Sequence, residues 1–475
     1  MYSWKEHKPF GTAKCCAATK LYSKTSRRTN TLNSLRQVTK MQRIKEDAFH
    51  LLLGKVLQSI QGQEPENYYA GSQRMGHVPI IEFVNTLLEL AMEMRATDVH
   101  IEPNGGEVRI RFRVDGDLSE THGPLPFKVH AFLIARLKVM AHLDTIERRL
   151  PQDGRILYEP QAGGPPIDIR ISTMPLLEGE KAVLRLLDTS HKLLDIGQLD
   201  FSAENEQIFR RLCHSPGGLI LAAGPVNSGK TTALYAALQE LNTINRNIVT
   251  IEDPVEYHLQ GINQIQINAK TGLSFAIGLR SILRQDPDIV MVGEIRDEET
   301  AEIAVRAALT GHLLLSTLHT GNAAGVLFRL LDMGIAPYLL AASLRGVLAQ
   351  RLVRRICPEC REAWTVSPEL QHGNVFLRGF AGQTLYRGRG CAACGGTGYH
   401  GRLALQELLV VDDELRKAVL AGSEQSSIET MLRGKGRKSL WEDGREKAMK
   451  GLTTWEEVTR VIYGDFVEGC ISANL

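Results

Sequence analysis

The chain of 475 residues has no run of about eighteen apolar residues, which excludes a membrane-crossing helix. It has no excess of one charge. Lys plus Arg number 56 against 54 Asp plus Glu, a formal net charge of +2, which argues against a protein dominated by phosphate neutralisation and leaves room only for local basic patches. Its 43 Gly and 18 Pro are unperiodic, which excludes collagen-like and low-complexity classes. Eight cysteines are too few for a disulfide scaffold in a chain this long. No apolar segment follows the first residues, so they are not a secretory signal. What remains is an ordinary globular composition, 43% hydrophobic and 23% charged, at a length that predicts three or four domains.

The start differs from the rest. From Lys5 to Lys45 there are eleven basic residues, and up to that point one acid, Glu6. Residues 1–76 are expected to be a largely disordered basic leader, with a lipid-surface or partner-binding arm as the alternative. Within it, Met41 to Ile60 predicts a short helix, because Phe49, Leu52, Leu53, Val56 and Leu57 recur at helical spacing. Gln61 to Gly76 is linker-like. Residues 77–200 alternate a helical pattern (Ile80 to Met94), strands (Val108 to Val114, Ile167 to Thr173) and a second helix (Phe127 to Leu143), which predicts an α+β domain.

From Gly217 short apolar strands alternate with helices. Leu219–Ala223, Ile248–Glu252, Ile289–Gly293 and Leu313–Leu318 are the strands; Thr231–Leu241, Ala276–Arg284 and Glu298–Leu309 are the helices. That alternation predicts a doubly wound α/β domain over 201–356. An insert over 357–402 carries four cysteines. A helical region over 403–475 follows, including Glu414–Ala421 and Thr454–Ile462.

Gly224-Pro225-Val226-Asn227-Ser228-Gly229-Lys230-Thr231 matches the phosphate-loop pattern and stands between a strand and a helix. Its glycines let backbone N–H groups face phosphate oxygens, and the helix N-terminus adds partial positive charge. Residues Gly224 to Lys230, Thr231 and Thr232 are therefore candidate nucleotide ligands, with Lys230 neutralising phosphate charge and the Thr231 hydroxyl holding Mg²⁺. Ligands of such sheets gather at the carboxyl ends of strands. Glu294 ends one predicted strand and is the candidate base that orients water; Glu252, Asp253 and Glu256 end another and are candidate nucleotide or metal ligands. His312 and His319 bracket a strand and are candidate γ-phosphate sensors. Cys357/Cys360 and Cys391/Cys394 are two CxxC pairs separated by thirty residues. Four thiolates at that spacing fit a structural Zn²⁺ site, with a redox dithiol or unliganded cysteines as the alternatives.

Together with these motifs, Thr250-Ile251-Glu252-Asp253-Pro254-Val255-Glu256-Tyr257, Arg284-Gln285-Asp286-Pro287-Asp288, Met291-Val292-Gly293-Glu294-Ile295-Arg296-Asp297 and Thr310-Gly311-His312 to His319-Thr320 stand in order. This combination resembles the secretion ATPases of type II secretion and type IV pilus assembly, the GspE/PulE/PilB group. Ala96 to Pro103, Arg111 to Gly116, Leu150 to Arg155 and Gly179 to Lys181 are similar to that family's N2 domain. The resemblance implies a RecA-like core, a PAS-like N2 domain and a homo-hexamer with ATP and Mg²⁺ between the two. It also implies arginine fingers, for which Arg170 and Arg185 are the best positional matches and Arg113 a weaker one. The cysteine insert separates assembly from retraction ATPases in that family. Further implications are a polytopic inner-membrane platform protein as partner, a membrane-anchored cytoplasmic docking protein as a second, no nucleic acid, and a cytoplasmic location peripheral to a bacterial inner membrane. Members often carry a folded N1 domain before N2; docking through a complete one is not expected from residues 1–76. Asn227 stands where the family usually has Gly, and Gly321-Asn322-Ala323 where pilus-type members have Asn-Asp-Ala.

The leading reading is thus an ATP-hydrolysing motor for type II secretion, with type IV pilus assembly as the alternative. A nucleic-acid motor and a nucleotide-binding scaffold without turnover are the readings of other classes.

Overall fold

The computed structural model describes residues 51–59 and 78–464, apart from 121–122, 161–162, 164, 188–193, 368–376 and 378–379. The expected leader up to residue 50 and the linker over Gln61–Gly76 lie outside these residues. Residues 51–59 are helical, as the apolar spacing predicts, and Val56 is fully buried against the first core.

That core lies between an antiparallel sheet and two helices, α1 (Val78–Glu93) and α2 (His130–Met140). The strands are β1 (Ala96–Asn104), β2 (Glu107–Val114), β3 (Asp117–Glu120), β4 (Leu125–Pro126), β5 (Gln152–Tyr158), β6 (Ile167–Leu176) and β7 (Gly179–Leu187), in the order β3-β2-β1-β7-β6-β5, with β4 paired to β2. The run Glu-Val-Arg-Ile-Arg-Phe-Arg-Val of β2 shows why. Val108, Ile110 and Phe112 are buried, while the alternating Arg109, Arg111 and Arg113 face the other side.

The central sheet has the order β10-β9-β11-β12-β8-β13-β16. Its strands are β8 (Gly218–Ala223), β9 (Ile248–Glu252), β10 (Asn263–Gln266), β11 (Ile289–Val292), β12 (Leu313–Leu318), β13 (Leu344–Ile356) and, beyond a short β14 (Arg361–Thr365) and β15 (Thr384–Gly388) hairpin, β16 (Tyr399–Val410). All neighbours are parallel except β13 and β16. Every residue of β8, β9, β11 and β12 is buried, the pattern of a sheet covered on both faces. On one face lie α3 (Ala203–Cys213) and α4 (Lys230–Leu241); on the other lie α5 (Phe275–Ile282), α6 (Glu298–Leu309), α7 (Ala323–Asp332) and α8 (Pro337–Ser343).

The predicted strands and helices of 217–318 are found within a residue or two. The expected helical character of 403–475 is corrected at its start. Residues up to Val410 belong to β16, which pairs with β13 along most of its length. Only then follow α9 (Asp413–Leu420), α10 (Gln425–Gly434), α11 (Leu440–Met449) and α12 (Trp455–Tyr463). Each of the last two starts at a side-chain cap, Ser439 accepting from the Glu442 N–H and Thr454 from the Glu457 N–H.

The two sheets are joined by named contacts. Asp115, at the β2–β3 turn, accepts from the Gly401 N–H at 2.9 Å, and Asp117 pairs with Arg354 of β13 and with Arg460 of α12 at 3.6 Å. Phe112 anchors the same hairpin from the core side. Phe112→Ala is expected to destabilise the N-terminal unit by about 3–5 kcal/mol, the usual cost of a large buried aromatic, measured by urea unfolding.

Candidate nucleotide site and cysteine cluster

The phosphate loop leaves the carboxyl end of β8 at Gly224 and enters α4 at Lys230. Gly224 has φ +150°, and a Cβ there would stand 2.5 Å from the backbone oxygen of Gln350 on β13, so no side chain fits. Asn227 has φ +63°, left-handed. Asparagine is among the few residues that adopt this region readily, which explains how it replaces glycine here. Lys230 is buried and donates to the backbone oxygens of Gly224 (2.8 Å) and Pro225 (2.7 Å). Burial lowers its pKa to about 8, against the pull of Glu294, with Arg351 adding to the decrease. Thr231 is half-buried and Thr232 exposed at the helix start.

β12 ends beside this loop, since the Gly224 N–H donates to Leu318 O. His319 follows, and its Nε2 is 3.4 Å from Glu294 Oε2. Glu294 follows β11 and is held in place by its neighbours: Thr317 Oγ1 donates to Gly293 O at 2.8 Å, and the Ile295 N–H donates to Thr317 O at 3.1 Å. Its other oxygen pairs with Arg296. Lys230, Glu294 and His319 are therefore gathered at one edge, as expected.

His312 is not. It precedes β12, and in a parallel sheet the residue before a strand lies at the opposite edge from the residue after it. Its backbone oxygen accepts from the Gly218 N–H, at the amino end of β8, and its ring contacts Ala307 O (3.1 Å) and Thr310 Oγ1 (3.2 Å). The expectation that both histidines flank the nucleotide side is corrected to His319 alone. Glu252 is corrected also. It ends β9, but its carboxylate is buried and occupied by Tyr235 Oη, Thr250 Oγ1 (2.5 Å) and Gln264 Nε2 (3.3 Å). It ties α4 to β9 rather than facing the crevice. Asp253 is exposed at the rim, and Glu256 lies 3.9 Å from Arg170.

Arg170 reaches from β6 to this loop, donating to Val255 O at 3.3 Å. Arg185 bonds to Asp98 (3.1 Å) within the N-terminal sheet, and Arg113 approaches the same carboxylate at 3.6 Å. The registers align Arg155, Arg170, Arg185, Asp98 and Arg113 in one row across five strands. Each arginine of the row has a carboxylate beside it, Arg155 with Asp168 (2.6 Å), Arg170 with Glu256, and Arg185 and Arg113 with Asp98, which offsets the repulsion of like charges side by side on a sheet. Arg155 in this row, and Arg296 on Glu294, were not among the residues singled out from sequence; only strand pairing brings Arg155 to the row.

The altered turn after His319 is held firmly. Asn322 caps α7, accepting from the Gly325 N–H at 2.9 Å, and donates to Glu429 of α10 at 2.8 Å. Arg351 donates to Gly321 O at 2.8 Å, and Glu407 accepts from the Ala323 N–H at 3.2 Å. A cavity of about 360 Å³ opens beside the loop, lined by Gly229, Thr232, Tyr235, Tyr257, Gln350 and Leu352 on one side and by residues such as Leu194 and Arg402 on the other.

The four cysteines converge. The sulfurs of Cys357, Cys360, Cys391 and Cys394 lie within 4.8 Å of one another, with Sγ–Sγ distances of 3.8 Å (Cys357–Cys391), 3.9 Å (Cys360–Cys394) and 3.7 Å (Cys391–Cys394). A tetrahedron with Zn–S of about 2.3 Å has edges of about 3.8 Å. Backbone N–H groups of Cys391 and Gly398 donate to Cys394 Sγ at 3.2 Å each. Burial raises that thiol, but these donors and the neighbouring thiols outweigh it and lower it below its ordinary value, favouring the thiolate a metal needs. The donor set fits zinc and leaves no open position.

The model of the family described as "Type II/IV secretion system protein" matches residues 73–460. The type II secretion system protein E of Dickeya dadantii (strain 3937) is 50% identical over 383 residues, covering 81% of this chain and 76% of that protein. The type II secretion system ATPase E of Vibrio cholerae serotype O1 is 49% identical over 383 residues, covering 81% and 75%. Among solved structures, the ATPase DotB of Legionella pneumophila has a TM-score of 0.60 at 23% identity, covering 80% of this chain and 95% of that one. The pilus retraction motor PilT with bound ADP has a TM-score of 0.52 at 24% identity, covering 79% and 96%. These two likenesses carry the fold: a RecA-like α/β core preceded by an α+β unit.

Two outcomes are expected. Between pH 8 and 10.5 the unfolded chain holds a proton on Lys230 that the nucleotide-free native state has lost, so stability rises with pH through that window. Lys230→Met should therefore be more stable than the parent at pH 7, with the advantage shrinking as pH climbs past 8; thermal melts across the range check this. Purified protein should contain a single zinc ion by elemental analysis. Cys394→Ser should lose most of it and melt at a lower temperature, whereas full zinc retention would refute the assignment.

Proposed function

This chain belongs to the type II/IV secretion system protein family of P-loop ATPases, and from that premise we propose that it is the hexameric motor of a type II secretion system. The observation that carries the reading is the gathering of Lys230, Glu294 and His319 at the carboxyl edge of one parallel sheet, with Arg170 of the N-terminal sheet reaching the loop that follows β9.

Lys230 neutralises charge on the β- and γ-phosphates of ATP. The Thr231 hydroxyl would hold Mg²⁺, which would supply further charge neutralisation. Glu294 orients the attacking water and accepts its proton, with Arg296 and His319 fixing the carboxylate. His319, beside the phosphate loop, senses whether the γ-phosphate is present. Arg170 and Arg185 act as arginine fingers, their planar forks suited to phosphate oxygens. Cys357, Cys360, Cys391 and Cys394 would hold zinc, which would brace the hairpin that joins β13 to β16. Asp253 and Glu256 at the rim serve the metal or the Arg170 contact. Movement of the N-terminal sheet against the core drives an inner-membrane platform protein to add pseudopilin subunits, from a cytoplasmic position at the membrane face. The names of its relatives, type II secretion system protein E and ATPase E, favour secretion over pilus assembly. The intact cap at Asn322 and the retained Lys230, Glu294 and His319 count against a scaffold without turnover.

Steady-state ATPase assays with native mass measurement test this. Activity should need Mg²⁺ and rise with hexamer formation. Glu294→Gln should lower kcat by about 10²–10⁴-fold, and Lys230→Ala should abolish turnover. Tight ATP binding without hydrolysis by the hexamer would overturn the motor reading.

A further inference from the structure

The phosphate loop and the turn after His319 leave two neighbouring strands, β8 and β12, and one side chain from a third strand ties them together. Arg351, on β13, donates from Nη1 to Gln350 O at 3.1 Å and from Nη2 to Gly321 O at 2.8 Å. Gln350 O lies at the root of the phosphate loop. It is among the atoms that leave no room for a Cβ on Gly224, whose own carbonyl accepts from Lys230 Nζ at 2.8 Å. Gly321 stands two residues after His319. One planar fork therefore spans from the floor of the loop that carries Lys230 to the turn that carries His319.

The charge of Arg351 is also unspent. Arg354 and Arg355, further along β13, are each paired with a carboxylate. Among the described residues none stands within ion-pair distance of Arg351, although it is half-buried. The acid whose charge reaches it, Glu407 of β16, is engaged by the Ala323 N–H at 3.2 Å. The charge of Arg351 is felt instead at Lys230, a second cation beside it. A half-buried cation without a counter-ion is unfavourable until an anion arrives. Beyond Gly321 the turn is secured by Asn322, which caps α7 and bonds to Glu429; on the His319 side Arg351 supplies the tie.

We propose that Arg351 is a positioning residue for ATP hydrolysis: it fixes the His319 turn against the root of the phosphate loop, so that Lys230, Glu294 and His319 keep one geometry around the γ-phosphate. It acts through Gly321 and Gln350 rather than on the nucleotide. Its fork and its charge contribute separately. The fork, two nitrogens on two carbonyls, sets alignment and hence kcat. The charge, left without a carboxylate, adds to the field that draws the phosphates in. This rests on the nucleotide-site reading above and adds the residue that aligns its two halves.

Arg351→Lys and Arg351→Met in the full chain test it, with steady-state hydrolysis of Mg-ATP and calorimetric binding of Mg-ADP and of the non-hydrolysable Mg-AMPPNP. Arg351→Lys keeps the charge and loses the two-nitrogen span. Its kcat should fall at least ~10-fold, because small misplacements are costly, while its KM stays within about threefold of the parent. Its affinity for AMPPNP relative to ADP should fall as well, because only the triphosphate meets the His319 turn. ADP affinity, zinc content and melting temperature should stay near those of the parent. Arg351→Met should lose kcat and bind both nucleotides more weakly. An unchanged kcat and an unchanged AMPPNP/ADP ratio in Arg351→Lys would overturn the proposal. So would a loss of kcat that comes with a collapse of ADP affinity and melting temperature, which would make Arg351 a general support of the fold. A parent without hydrolysis, whose AMPPNP/ADP ratio still falls in Arg351→Lys, would sink the motor reading and leave the alignment role standing.

Discussion

Parallel strands share a direction, and that shared direction decides which residues of this protein can meet. Six neighbouring strands, β10, β9, β11, β12, β8 and β13, run the same way. Whatever follows a strand arrives at one edge, and whatever precedes it arrives at the other. The phosphate loop follows β8, Glu294 follows β11 and His319 follows β12, so the three come together although almost a hundred residues separate the first from the last. His312 differs from His319 only in standing before β12, and it is thereby removed from the site.

The N-terminal sheet is bound to this edge at two places of different character. Arg170 holds the loop after β9, next to the phosphate loop helix through the Glu252–Tyr235 bond. Asp115 and Asp117 hold the outer part of the core through Gly401, Arg354 and Arg460. Arg354 is itself shared with Glu457 of α12 and lies over the Tyr399 ring at 4.1 Å. Exposed ion pairs contribute little, but a carboxylate shared between two half-buried arginines is geometrically demanding.

Much of this was legible before any coordinates. Fully apolar runs such as Leu219–Ala223 and Leu313–Leu318 announce buried strands, and the phosphate-loop spacing announces its own chemistry. CxxC spacing foretold a cluster whose sulfur distances match a zinc tetrahedron. Other features are not local. Glu252 sits at a strand end like Glu294, yet Tyr235, on α4 and seventeen residues before it in the chain, absorbs it. β13 and β16 escaped because Gln350, Arg351, Gln406 and Glu407 interrupt their apolar patterns. Those polar residues are tolerated where the sheet abuts the cavity and the His319 turn, which only the assembled fold reveals.

β13 belongs to two places at once. Its first residues, Leu344 to Ala349, pair with the strand that carries the phosphate loop, and its last residue is followed by Cys357. Thirteen residues of extended chain make a rod of about 40 Å. Pairing with β16 doubles the rod, and four thiolates pin its far end. A rod that stiff turns small angles into distances: from Ala349, paired with Ala223 at the root of the phosphate loop, to Ile356 the arm is about 23 Å, so a tilt of about 5° at the loop would sweep the cysteine end through about 2 Å. The cysteine hairpin is, in mechanical terms, the tip of a pointer whose pivot is the floor of the nucleotide pocket.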